Sequence, residues 1–343
     1  MLQSIRILKY PALEGRVSAG GRMKVIHFFI LSLLLCPSFS MATYTLKEGK
    51  FVNQKSVATL SVQEHYSAAL EAYQKKDWKV LINQATIVIK NFPSTPFAHE
   101  AHFYLGVSYF HFHDYQMANR EFSSYLKKQT TPKFFEEAIQ YKFAIAERYK
   151  KGAKKHLLGW RSLPQWVPAD EEAIAIYDEV IAALPHHDLG AQALFGKGQL
   201  LVRDDDYKAS IEAFQTLLRR FPKHPLAPEA YLSIVEVYLT ECQAEFLDPD
   251  FLDLAEIHVR KFGQDFSRDD RFQKAQEKLL AMKEVYAKNL FETGQFYERT
   301  KKLHASHLYY TKTVAKYPET KAAESSRKRL NRLEEIMKSG HSN

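Results

Sequence analysis

The chain has 343 residues, of which 45% are apolar, and a formal charge of +8 at neutral pH. This apolar content suffices for a large core, built as one long domain or two. Five basic residues and one acidic residue fall within residues 1–42, so the rest of the chain carries only about +4. So small an excess, without a motif of interleaved aromatic and basic residues, argues against a nucleic-acid-binding protein.

The N-terminal residues 1–42 are predicted to be a leader region, with a signal peptide over residues 23–42. Met23-Lys24 gives a short basic start, residues 25–35 are an apolar core, and Ser40-Met41-Ala42 offers small residues for cleavage after Ala42. Eleven residues are too few to span a bilayer permanently. Met23 is the predicted start, since the preceding residues resemble neither a leader nor a repeat. A buried helix is the alternative interpretation.

Cys36 stands where a bacterial lipoprotein carries its acylated cysteine. Lipidation requires a small residue immediately before that cysteine, and Leu35 is not small. A lipid anchor at Cys36 and simple cleavage after Ala42 both stay open. In the second case Cys242 is the one remaining cysteine, which excludes an internal disulfide, and it is predicted to be a buried thiol.

Helical periodicity begins after an extended lead-in at residues 43–60. Ser61 and Glu64 have the spacing of a capping box. N-terminal helix pairs are predicted over residues 61–149, and the clearest spans residues 92–126. Its first helix runs from Ala98 to Phe112, and its second follows a break at Asp114-Tyr115.

The same residue types recur in register in three of the predicted pairs. Each has a glycine in the first helix, a small residue and then an aromatic residue in the second, and a proline in the adjoining turn. These residues are Gly106, Gly198 and Gly294; Ala118, Ser210 and Ser306; Phe122, Phe214 and Tyr310; and Pro93, Pro222 and Pro318. This is the tetratricopeptide pattern, in which two-helix modules stack because neither helix stripe can be buried within one module. We therefore expect an all-α, tetratricopeptide-type solenoid that winds as a right-handed superhelix.

Residues 150–169 interrupt the third pair with lysines, prolines and two tryptophans, Trp160 and Trp166. One interpretation is a loop that folds back and packs both indoles on the solenoid. The other is a protruding arm whose tryptophans contact a partner or anionic lipid headgroups, because Trp and Lys together suit interfaces.

Central helix pairs are predicted over residues 170–263, beginning with an N-cap at Ala169-Asp170. A last pair and a capping helix follow over residues 264–338. The exposed side of that last helix is charged, as the end of a solenoid requires for solubility.

Several of these motifs resemble the BamD family, the tetratricopeptide outer-membrane assembly lipoproteins of Gram-negative bacteria. The resemblance is carried by Phe92-Pro93 before Ser94-Thr95-Pro96, by the Asp114-Tyr115 turn, and by Phe221-Pro222 before Glu229-Ala230-Tyr231. It is best over residues 61–150 and 190–262. The family implies a non-enzymatic accessory subunit of the β-barrel assembly machine, on the periplasmic side of the outer membrane and anchored to its inner leaflet when lipidated.

The expected partners of such a subunit are the barrel subunit, through its POTRA region, and unfolded outer-membrane proteins. The chain departs from the family at Cys36, at residues 150–169 and after residue 263. Two other assignments stay open: another periplasmic repeat adaptor, associated with cell-wall synthesis or division, and a cytosolic secretion chaperone, which the leader disfavours.

No catalytic, cofactor or metal site is expected. The histidine pairs lack cysteines or carboxylates at zinc-site spacings. Gly196-Lys197-Gly198 falls within a predicted helix and not in a phosphate loop. The acidic run 204–206 lacks the glycine and the distal glutamate of a calcium loop.

Overall fold

The computed structural model describes residues 44–47, 50–53, 57–127, 132–159, 163–243 and 248–340. The predicted leader, with Cys36, lies outside these residues, and so does Trp160. Contacts divide the chain into one unit that ends at Val57 and a second that begins at Ala58.

The first unit contains an antiparallel hairpin. Strand β1 (Tyr44–Lys47) pairs with β2 (Lys50–Asn53), and Tyr44 lies opposite Asn53. The sequence indicated extended backbone here but gave no signal that the two segments pair.

The second unit is a stack of helix pairs, with one short insertion. Its described residues form thirteen α-helices: α1 (Val62–Gln74), α2 (Trp78–Asn91), α3 (Pro96–His111), α4 (Tyr115–Lys127), α5 (Phe135–Lys150), α6 (Asp170–Ala183), α7 (Asp188–Arg203), α8 (Tyr207–Arg220), α9 (Ala227–Cys242), α10 (Pro249–Asp265), α11 (Asp270–Arg299), α12 (Leu303–Lys316) and α13 (Lys321–Gly340). Odd-numbered helices from α1 to α11 are the first members of six pairs, and α13 covers the end. The predicted all-α solenoid is confirmed.

Local sequence sets where these helices begin. Ser61 and Glu64 form the predicted capping box: each side chain accepts a hydrogen bond from the other residue's backbone N–H. The predicted N-cap of α6 is wrong. Ala169 occupies the cap position without a side-chain bond, because the Asp170 carboxylate lies inside the helix and accepts from Arg203.

Four of the turns between paired helices share one backbone conformation. Lys76, His113, Asp205 and Lys301 each have a φ between +56° and +59°, and each lies two residues before the first residue of the second helix. A left-handed residue at that point reverses the chain within a few residues. The two helices of a pair are therefore held antiparallel by a short connection.

The recurring glycines lie beneath the recurring aromatic rings. A Cβ on Gly106 would be 2.8 Å from the nearest ring atom of Phe122, and the corresponding distance from Gly198 to Phe214 is 2.5 Å. Gly294 meets Tyr310 in the same way. Ala118, Ser210 and Ser306, one helical turn before each ring, are fully buried. The ring of the second helix thus fills the space that the glycine leaves on the first.

Buried polar side chains also connect the two helices of a pair. His65 Nδ1 lies 2.7 Å from Gln84 Oε1, and His102 Nδ1 lies 2.8 Å from Glu121 Oε2. Both pairs of residues are nineteen positions apart. Because a buried polar group without a partner is costly, these bonds favour one register between the helices.

Lys142 makes the corresponding connection in the third pair, where it lies fully buried on α5. Its Nζ donates to Asn119 Oδ1 at 2.6 Å and to Ser123 Oγ at 2.7 Å, both on α4. It also pairs with Glu179 on α6 at 2.8 Å. Burial lowers the pKa of Lys142, and its bond to the Glu179 carboxylate opposes that shift.

The insertion between α5 and α6 forms a small hairpin. Strands β3 (Lys155–His156) and β4 (Gln165–Val167) pair antiparallel, and a 3₁₀ turn at Leu157–Gly159 follows β3. His156 approaches Asp114 to 3.6 Å, and Lys155 pairs with Glu172. The insertion is therefore held against the turn that precedes α4 and against α6.

Candidate functional site

The first helices form the more closely packed side of the stack. Helices α1, α3, α5 and α7 contact one another in turn, as do α9 and α11. Across the described part of the chain, successive second helices make at most marginal contact. In stacked helix pairs the side with the closer helices is the inner side, so the first helices present the inner surface.

This inner surface carries a cleft of about 430 Å³, which we call the aromatic groove. It crosses three successive first helices, so one ligand in it would contact three helix pairs. The groove is lined by Tyr73 of α1, by Phe103, Tyr104 and Phe110 of α3, and by Phe134, Glu137, Gln140, Tyr141 and Ala144 at the start and along α5.

The aromatic rings of the groove support one another across helices. Phe103 stacks on Phe134 with centroids 4.5 Å apart. Tyr104 meets Tyr73 edge-on at 5.1 Å, and Phe110 meets Tyr141 at 5.2 Å. Edge and stacked contacts of this kind fix ring orientations. The rings that form the walls of the groove are therefore held in place by one another.

The groove contains few charges. Burial raises the pKa of the Tyr104 and Tyr141 hydroxyls above their usual value, so both are neutral at physiological pH. Neutral hydroxyls can donate to or accept from a peptide backbone. Glu137 supplies the one carboxylate of the lining, and it is exposed at the rim beside Gln140.

Comparison with known families decides the type of repeat. A profile of the tetratricopeptide repeat family matches residues 171–225 and 195–240. This stretch consists of tetratricopeptide repeats. The aromatic groove lies before it, in helix pairs of the same construction.

Solved structures of tetratricopeptide proteins are similar to the chain at low identity. A protein from Bacteroides fragilis is 13% identical, with 81% of this chain and 100% of that chain covered and a TM-score of 0.39. One from Parabacteroides merdae is 15% identical, with 79% and 98% covered and a TM-score of 0.35. MamA from Desulfovibrio magneticus is 16% identical, with 61% and 97% covered and a TM-score of 0.34. No curated protein sequence matches significantly.

The residues of the tetratricopeptide signature support the groove from beneath. Phe122 stacks on Tyr141 at 5.2 Å and contacts Phe103 at 5.9 Å, while Gly106 lies under the Phe122 ring. The equivalent contacts at Gly198 and Gly294 lie in later repeats, outside the groove. Pro93, Pro222 and Pro318 are exposed in the turns that follow second helices. The signature residues shape the repeats, and other side chains line the groove.

The predicted tryptophan contacts belong to a separate feature of the structure. Trp166 lies on β4 with 67% of its surface exposed, so the interpretation in which both indoles pack on the solenoid is wrong for this residue. Trp160 lies outside the described residues. Trp166 stays a predicted partner contact.

Sequence reasoning missed the groove itself, although α3 carries a signal for it. Eleven of the sixteen residues of α3 are buried, on every side of the helix. A helix that is apolar all round has more apolar surface than one neighbour can cover. On α3 the apolar side chains beyond those that one neighbouring helix can cover face the inner side and line the groove.

The residues that the structure describes give no support for a metal site or a membrane-spanning helix. They contain no group of three potential metal ligands, and none of their helices is long and apolar enough to cross a membrane. Cys242 is buried, and burial raises the pKa of its thiol to about 11.

Proposed function

We propose that this protein is a non-enzymatic scaffold that holds an extended segment of another protein in the aromatic groove. The groove itself supports this proposal most strongly: five helix-borne rings and a sixth at the start of α5 converge on a cleft with one rim carboxylate. Apolar walls with a few neutral polar groups are typical of sites that bind apolar ligands.

The groove is suited to aromatic and large aliphatic side chains of an unfolded segment. Its rings are already oriented, so binding costs little side-chain entropy on the protein's side. The Tyr104 and Tyr141 hydroxyls can hydrogen-bond the backbone of the segment while its side chains are buried. Such a site selects apolar side chains, which many unfolded proteins present.

The cellular role that best combines these features is a BamD-like subunit of the β-barrel assembly machine. The features in favour are the signal-peptide pattern before residue 43, the Phe-Pro and Asp-Tyr motifs of the family, and the tetratricopeptide repeats. In this role the protein works on the periplasmic side of the outer membrane, bound to the barrel subunit and, if Cys36 is acylated, to the inner leaflet.

A second candidate is a periplasmic adaptor with another partner. Two features favour it, because both depart from the family pattern: the inserted hairpin at Lys155–Val167 and the 30-residue helix α11.

Co-isolation from cell envelopes tests the assembly role. A large β-barrel protein that contains a POTRA region should co-purify with the tagged protein. Recovery of cell-wall or division proteins without any barrel protein would support the adaptor in its place.

A matched pair of variants connects the partner to the groove. Ala144→Arg places a long charged side chain among the groove residues, whereas Ala182→Arg makes the same change at an exposed position of α6 outside the lining. Unfolded outer-membrane protein should be recovered with Ala182→Arg but strongly reduced with Ala144→Arg. Equal recovery with both variants would exclude the groove as its site.

Mass spectrometry of the mature N-terminus tests the location. A diacylglyceryl group on Cys36 would place the protein on a membrane, and a start at Thr43 would place it free in the periplasm. An unprocessed chain in the cytoplasm would contradict both and would favour the secretion chaperone.

A further inference from the structure

A second cleft, of about 440 Å³, lies on the opposite side of the stack from the first helices. We call it the outer cleft. One wall is α8 and the other is α10, which are the second helices of two successive pairs. Its lining residues are Gln215, Leu218 and Arg219 of α8, Tyr231 of α9, and Ile257, His258 and Lys261 of α10.

The outer cleft exists because its two walls do not pack on each other. Helix α9 contacts both α8 and α10, and Tyr231 of α9 forms the floor between them. Tyr231 is held in place by stacking on Phe262 at 5.2 Å and by donating to Asp265 at 2.7 Å. One polar contact bridges the walls, where Gln215 Nε2 lies 3.2 Å from His258 Nε2.

The charges of the outer cleft all have one sign. Arg219 and Lys261 stand on opposite walls, and both are exposed. Arg219 donates a hydrogen bond to Thr216 Oγ1 at 3.1 Å, but within the described residues neither cation forms an ion pair with a carboxylate. Burial lowers the pKa of His258 to about 4, so this side chain is neutral at physiological pH. Among the described residues no carboxylate lines the cleft, and Asp265, just outside it, accepts a hydrogen bond from the Tyr231 hydroxyl.

Apolar surface accompanies these cations. Ile257 is 44% exposed on the same helix face as Lys261, and Leu254 is 40% exposed one turn earlier. Exposed apolar side chains of α10 therefore lie beside two exposed cations. The complementary ligand has at least one apolar side chain and carboxylates near it.

We propose that the outer cleft binds an acidic segment of a partner protein, with an apolar side chain of that segment on Ile257 and Tyr231 and its carboxylates on Arg219 and Lys261. Opposite charge speeds the encounter and selects the partner. This site is independent of the aromatic groove, since it uses other helices and the opposite side of the stack. The protein can therefore hold an apolar segment on its inner side while an acidic partner occupies the outer side.

Selection from a displayed library of random peptides tests the chemistry without assuming a partner. The full-length protein is the target, and the double variant Arg219→Glu, Lys261→Glu serves for counter-selection. The enriched peptides should be acidic and should carry at least one large apolar residue. Failure to enrich peptides, or enrichment without an excess of Asp and Glu, would overturn the proposal.

A matched double variant separates the cleft from general surface charge. Arg220→Glu, Arg260→Glu makes the same change in net charge on the neighbouring residues of the same two helices, outside the lining. A selected peptide should lose about tenfold or more in affinity for the cleft variant and less than about threefold for the control, measured by fluorescence anisotropy. Equal losses in both variants would contradict a defined site.

Anionic lipid is the competing ligand, and vesicles of phosphatidylglycerol distinguish it. Vesicle binding that depends on Arg219 and Lys261, when no acidic peptide is enriched, would assign the cleft to a membrane surface and overturn the proposal. Circular dichroism and thermal melting of each variant confirm that it is folded. Loss of binding at the outer cleft leaves binding at the aromatic groove intact, so failure of one proposal does not decide the other.

Discussion

Three glycines, Gly106, Gly198 and Gly294, lie where an aromatic ring of the paired helix leaves no room for a side chain. Each lies in a first helix under a ring that comes sixteen residues later, and an added Cβ would lie 2.8 Å or less from that ring. Glycine normally weakens a helix interior by about 0.5–1 kcal/mol relative to alanine. Here the close contact between two helices outweighs that cost.

We predict that Gly198→Ala lowers the free energy of unfolding by about 1–3 kcal/mol, since the new methyl group overlaps the Phe214 ring. Helix propensity alone would give the opposite sign. Combining Gly198→Ala with Phe214→Leu should cost less than the sum of the single changes, because the smaller side chain makes room for the methyl group. Thermal or denaturant unfolding measures this difference. If the two losses of stability add exactly in the double variant, the contact between residue 198 and the Phe214 ring is contradicted.

The buried histidine of the outer cleft predicts a dependence of stability on pH. His258 titrates near 4 in the folded protein and near its ordinary 6.5 when unfolded. The unfolded chain therefore binds the proton first as pH falls below 6.5, and stability is lost from there down to about 4. One pKa unit is about 1.4 kcal/mol, so the loss by pH 4 is on the order of 3 kcal/mol.

His258→Gln should reduce this loss, because glutamine does not titrate. The thermal midpoint of the native protein should fall further between pH 7 and pH 4.5 than that of the variant. Other groups that titrate in this range affect both proteins alike. Parallel decreases would show that His258 is not the group responsible.

At the scale of an element, the turns between paired helices are as informative as the helices. Four of them place a non-glycine residue in the left-handed region two residues before the second helix starts. The sequence showed three of these breaks as short polar runs that end in Asp and an aromatic residue, whereas the fourth ends in Lys302 and Leu303. It did not show the left-handed residue, because lysine, histidine and aspartate have no common pattern that predicts it.

We predict that Lys76→Gly stabilises the first helix pair by up to about 1 kcal/mol, since glycine adopts a positive φ without steric cost. Lys79→Gly, three residues later and exposed within α2, is the matched control and should destabilise by about 1 kcal/mol. Hydrogen exchange of α1 and α2 detects both effects locally. A loss of protection in Lys76→Gly would contradict the turn geometry.

The helices themselves were largely predictable from sequence, for a physical reason. Apolar stripes at helical spacing, together with the capping box of Ser61 and Glu64, are local signals. The start of α6 at residue 170 was predicted, but the missing side-chain cap was not, because the Asp170 carboxylate accepts a hydrogen bond from Arg203, a residue distant in sequence. The hairpin at Lys155–Val167 was likewise missed, since its strands are short and its anchors, Asp114 and Glu172, lie on other elements.

At the scale of the whole second unit, each helix pair is completed by its neighbours. Lys142 shows this directly, because its one ammonium group bonds to α4 and α6 while it sits on α5. Replacing one buried partner leaves the others unsatisfied, which costs more than the bond itself contributes. Stability in such a stack therefore depends on contacts between pairs as well as within them.

The aromatic groove also belongs to this scale, which is why sequence did not reveal it. Its residues come from three helices whose relative placement depends on the stacking. Tyr73 and Tyr141 are 68 positions apart in sequence yet line one cleft. The signature glycines and rings predicted that the helices stack, but not which aromatic side chains stay uncovered.

The most direct test of the account is binding of an aromatic peptide to the groove. The probe is a labelled peptide copied from one strand of an outer-membrane β-barrel, and its control has serine in place of each aromatic residue. The native protein and Ala182→Arg should bind the aromatic peptide alike and the serine peptide weakly, while Ala144→Arg should bind the aromatic peptide about tenfold more weakly. Equal affinity of Ala144→Arg and the native protein for the aromatic peptide would contradict the central claim that this groove receives extended segments of other proteins.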